Sequence, residues 1–155
     1  MVLAISVHVI AIAIFLFSFG NGSAPEKIAA TCLAVWTILG ALIQIMVSGA
    51  DFATLNVFDV VCDITLFCVM LALAVSANRI WPCFLAGSTL LMLFGHAAAW
   101  IAPTGMKQAY WAMTNLPFLL ALAALFIGTL CHRRRAKILG HYGDWRNVRG
   151  TQVRN

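Results

Sequence analysis

The sequence predicts an all-α fold, a polytopic transmembrane helix bundle of five spans. Three observations carry this. Of 155 residues, 63% are hydrophobic and only 10% charged, whereas a soluble domain carries about 25% charged residues. The apolar residues fall into five runs long enough for the hydrocarbon core, which needs roughly 20 residues per helix. The runs are continuous rather than alternating, which excludes the strands of a membrane barrel.

Span 1 covers residues 2–19 and stops at the turn formers Gly20-Asn21-Gly22-Ser23-Ala24-Pro25. It lacks a basic leader, and its apolar stretch exceeds the roughly 7–15 residues of a signal peptide, so it is read as a retained span. Span 2 covers 28–49 and span 3 covers 55–75. Ser76-Ala77-Asn78-Arg79 is a short polar turn, and Trp81-Pro82 opens span 4, at 81–102. Proline suits a helix's first turn because its missing N–H has no intrahelical partner there. Pro103-Thr104-Gly105 breaks the chain again, and span 5 runs over 109–131. Pro117 within it removes one backbone hydrogen bond and should free the Met113 carbonyl. Residues 132–155 form a basic tail.

The net charge of +5 is concentrated there. The tail sets Arg133, Arg134, Arg135, Lys137, Arg146, Arg149 and Arg154 against Asp144, a balance of +6, while the rest of the chain balances at −1. With the tail in the cytoplasm, Lys27 and Arg79 are also cytoplasmic, and only Lys107 and the terminal amine lie outside. That is the positive-inside arrangement, with the N-terminus periplasmic. Trp81, Trp100, Tyr110 and Trp111 fall at span ends, where amphipathic rings anchor a membrane boundary. The five cysteines form no C-x-x-C pair, and the expectation is inert thiols buried in apolar runs.

Among the His, Asn, Gln and Asp residues inside the spans, one depth recurs, while the other half of the bilayer holds only Ser and Thr. His8, Gln44, Asp59, Asp63, His96 and Asn115 all lie roughly 6–12 Å from the outer span ends, at about 1.5 Å per residue. Each span contributes to this layer in the outer half of the bilayer. Asn56, Asp59 and Asp63 share one stripe of span 3, and Thr37, Gly40, Gln44 and Ser48 share one of span 2. Such stripes face neighbouring helices. Two ionised carboxylates on one stripe repel, so one stays protonated or a cation or imidazolium sits beside them. Asp63 and His96 can pair to hold helices together, or the layer can form a pocket for a proton, a cation or a small ligand.

Around Asp59 and Asp63, the turn Asn78-Arg79-Ile80-Trp81-Pro82 and His96, the stretch 57–100 resembles an uncharacterised group of small multi-pass inner-membrane proteins from alphaproteobacteria. The shared features are an acidic third span, an Arg-aromatic-Trp-Pro turn, a His in the next span and a basic tail. The resemblance implies a bacterial inner membrane and carries no activity with it.

No nucleotide-binding loop or H-E-x-x-H motif is present, so the sequence leans against an enzyme. It favours a non-catalytic integral membrane protein, standing alone or as an accessory subunit of a membrane complex. The alternative is a proton- or cation-coupled transport or sensing protein using Asp59, Asp63 and His96. A third reading is a bis-histidine b-type haem protein, with His8 and His96 as axial ligands at matching depth. No local spacing supports a metal centre. The expected partners are the bilayer, anionic lipid head groups at Arg133, Arg134, Arg135 and Lys137, and other membrane subunits. His141 to Trp145 are a candidate docking element for a protein partner. The tail has no nucleic-acid recognition motif.

Overall fold

A computed structural model describes residues 2–46, 57–101, 107–140 and 143–145. Five helices account for nearly all of them: α1 (Val2–Asn21), α2 (Ala24–Met46), α3 (Val57–Ser76), α4 (Trp81–Ile101) and α5 (Lys107–Leu139). They correspond one to one with the five predicted spans. Four contain stretches long and apolar enough to cross a membrane, and α1 adds the shorter apolar stretch Val7–Asn21.

The helices close into a ring in chain order, each packing on the next and α5 returning to α1, while α2 also reaches α5. The turns after α1 and α3, together with the end of α5, lie at one end of the bundle, called here the tail end. Apolar residues occupy both sides of the helices, and the buried set mixes small residues with large ones such as Leu33, Met70 and Leu122. Ala11, Ala29, Ala30, Ala74, Ala86 and Ala121 are buried, whereas Ile12, Leu16, Ile38, Val61, Leu91 and Ile127 face outward. Lipid solvates large apolar side chains as well as a protein core does. Small residues inside let the backbones approach closely.

The α1–α2 turn is two residues long. Gly22 donates its N–H to the Ser18 carbonyl at 2.8 Å. A Cβ at Gly22 would lie 2.6 Å from that carbonyl oxygen and 2.5 Å from the Glu26 Cβ, so only glycine fits. Ser23 and Glu26 then supply the carboxylate half of a capping box, the Glu26 carboxylate accepting the Ser23 N–H at 3.1 Å. This starts α2 four residues before the predicted 28, because a cap adds polar residues to a helix that hydropathy alone leaves out.

At the other end of the chain, α5 continues eight residues past the predicted boundary at 131. Arg and Lys are good helix formers, so hydropathy stops where the helix does not. Gly140 ends it with φ of 70° and an N–H bond to the Ala136 carbonyl at 3.0 Å, the left-handed cap that glycine adopts without strain. Pro117 is accommodated inside the helix. None of the five thiols is fully buried by protein: Cys68, Cys83 and Cys131 are exposed on the bundle surface and Cys32 and Cys62 half-buried. Apolar runs here face lipid as often as core, which the expectation of buried thiols did not separate.

Candidate functional site

Among the described residues, a hydrogen-bonded centre joins three helices at the level of the polar layer. Asp63 on α3 and His96 on α4 are buried, 4% and 7% exposed. His96 Nε2 lies 2.9 Å from Asp63 Oδ2. From α2, Trp36 donates its indole N–H to Asp63 Oδ1 at 2.6 Å. Each carboxylate oxygen thus has a partner from a different helix. Trp36 also packs on Phe118 of α5, with ring centroids 5.3 Å apart. Asp59, one turn earlier on α3, is half-buried and within electrostatic reach of both Asp63 and His96.

The other predicted members stand differently. His8 lies on the exposed face of α1, and α1 does not pack on α4 among the described residues. His96 is turned to Asp63, so His8 and His96 are not the facing pair that a bis-histidine haem requires. Asn115 is half-buried on α5. Gln44 belongs to α2, but its side chain lies outside the described residues, as do Asn56 and Ser48. Equal depth put these residues in one slab; rotation about each helix axis decides which of them meet. Trp36 lies outside that slab, 13 residues from the outer end of span 2, and its long side chain reaches Asp63 from there. Its indole N–H needs a partner when buried, which is the signal that would have included it.

A second polar centre, at the tail end, was absent from the expected layer. Glu26 is fully buried. One of its carboxylate oxygens takes a charge-assisted bond from Arg79 Nη1, and also the Trp81 indole N–H at 3.1 Å. The other accepts the Ser23 N–H and, at 2.8 Å, the Ser23 hydroxyl. Arg79 Nη2 donates to the Ser23 hydroxyl at 2.8 Å and to Asp144 Oδ1 at 2.6 Å. The Ser-x-x-Glu spacing before an apolar run is the sequence signal for the cap at the centre of this network. Arg79, in the expected polar turn, is 9% exposed, its cation compensated by Glu26 and Asp144. One expectation changes here. Trp81 is no boundary anchor but is buried against Gly128 of α5, while Trp100 is well exposed at the opposite end, as a boundary residue should be.

Beyond these centres, Ser18 and Thr129 share a buried hydroxyl bond of 3.0 Å between α1 and α5. Arg133 lies over the Phe17 ring, 5.7 Å from its centroid. Arg133, Arg134, Arg135 and Lys137 are all exposed on the end of α5. An open groove of about 450 Å³ between α3 and α4 is lined by apolar residues such as Phe67, Leu71 and Leu90, and no residue of either polar centre lines it. No group of three or more metal-ligating side chains occurs among the described residues.

Fold and polar interior together define an integral membrane helix bundle whose buried charges are compensated by side chains of neighbouring helices. No protein-family model, curated protein or solved structure matches the chain.

Proposed function

We propose that the protein is a non-catalytic integral membrane protein of the bacterial inner membrane, standing alone or serving as an accessory subunit of a membrane complex. The observation that carries this reading is the engagement of both Asp63 oxygens: Trp36 bonds one and His96 the other, tying α2, α3 and α4 together. A carboxylate engaged in this way stitches helices. The apolar groove offers no convergent polar groups of the kind that orient a substrate. The exposed cations at the end of α5 suit anionic head groups of the cytoplasmic leaflet, with the N-terminus periplasmic.

On this reading Asp63→Asn is tolerated. Asparagine accepts from Trp36 with its oxygen and donates its amide to the other imidazole tautomer of His96. Interhelical polar contacts are worth about 0.6 kcal/mol on average in a membrane protein where they were measured, so stability should hold within that range. The check is thermal unfolding of both proteins in detergent between about pH 5 and 8, where an unperturbed imidazole titrates. Parallel profiles are expected. Loss of a pH dependence in the variant, or of proton-driven flux in proteoliposomes, would replace this reading with a proton-coupled one. Asp59, close to the pair yet outside its bonds to Trp36, is the observation that favours that second reading.

Orientation has its own test. A reporter fused after Asn155 should report cytoplasm and one inserted at Thr104 periplasm, from the Lys/Arg asymmetry. The opposite pattern would remove both the topology and the assignment of the tail to the cytoplasmic leaflet.

A further inference from the structure

One charged group at the tail end is held differently from its neighbours. Glu26 is fully buried and accepts four hydrogen bonds, from Arg79, Trp81 and twice from Ser23. The Asp144 side chain stays 25% exposed and bonds Arg79 Nη2. Its backbone carbonyl accepts the Asn78 N–H at 3.2 Å, and Trp145 next to it forms an isolated antiparallel bridge with Ala77. Residues 143–145 therefore lie against the α3–α4 turn. Gly140, at φ 70°, ends α5 before them, and Gly143 precedes Asp144 directly.

We propose that residues 143–145 are a releasable latch, with Asp144 locking the C-terminal tail onto the α3–α4 turn, and that the latch opens without disturbing the bundle. The charge balance supports this. Glu26 and Arg79 already form a neutral pair, and Asp144 adds a third charge, leaving the closed cluster at a net −1. When Asp144 leaves, Arg79 keeps Glu26 and Ser23. Opening thus strands no buried cation, the event that makes breaking a buried ion pair costly. Trp145 is 43% exposed, so little apolar burial holds the segment down. Arg146, Arg149 and Arg154 follow in sequence.

The experiment compares wild type, Asp144→Ala and Asp144→Lys as full chains in micelles. It reads amide exchange at Asn78, whose N–H the latch protects, beside the melting temperature. Both variants should exchange Asn78 about tenfold faster or more, as a local opening does. Their melting temperatures should stay within about 2 °C of wild type, because no core contact is lost. Unchanged exchange at Asn78 in Asp144→Lys would overturn the latch. A fall in melting temperature as large as that of Glu26→Gln would also overturn it, by making Asp144 a structural member of the core.

Discussion

Glu26→Gln should destabilise the bundle by roughly 3 kcal/mol, near the low end of the range for breaking a buried ion pair because Asp144 still compensates Arg79 from the exposed side. The substitution changes almost no volume. It removes the charge facing the Arg79 guanidinium and turns an amide N–H₂ toward the Ser23 N–H and hydroxyl, both of which donate to the carboxylate. The cap of α2 and the α3–α4 turn therefore weaken together. The measurement is a double-mutant cycle by unfolding in micelles. Adding Arg79→Gln should recover part of the loss, since two amides can bond each other and no buried charge is left. Strictly additive losses would mean that the two side chains are not coupled, contrary to their direct contact.

The second large effect lies at Gly128. A Cβ there would come within 2.6 Å of the Trp81 indole, at Cγ and Cδ2. The ring cannot withdraw easily: its N–H is bonded to the buried Glu26, and the buried Pro82 follows it directly. Gly128→Ala should accordingly cost about 1–3 kcal/mol, the usual penalty for overpacking a filled core. Gly87→Ala is the control, since nothing lies within 4 Å of a Cβ at Gly87. It should be neutral, or slightly stabilising by raising helix propensity. A Gly128→Ala protein as stable as the Gly87→Ala protein would show that the α4–α5 interface is looser than the Trp81–Gly128 contact requires.

The two polar centres were legible in the sequence to different degrees. Asp63 and His96 stand out because an ionisable group inside a span is costly and needs a partner. Depth along the helix then brings the two to one level. Depth did not separate His8 from them, because all helices at one level share a slab but only some share an interface. Glu26 and Arg79 were visible as charges, but they fall near span ends, where a charge has the ordinary explanation of solvation and topology.

The class of fold, the number of helices and their order were legible in the sequence, as were the limits of α1, α3 and α4 to within two residues where they are described, but not the start of α2 or the end of α5. Length and hydropathy decide these, since a backbone in hydrocarbon must satisfy its own hydrogen bonds as a helix or a closed barrel, and the continuous apolar runs point to helices. Which faces meet became clear only from the packed bundle. In lipid both sides of a helix are apolar, so hydrophobic patterning cannot point inward as it does in water. The choice falls instead to small residues, to glycines such as Gly128 that admit an indole, and to donors such as Trp36 and Arg79 that must find an acceptor. Asp144 shows this most plainly, because 65 residues of chain separate it from the arginine it meets.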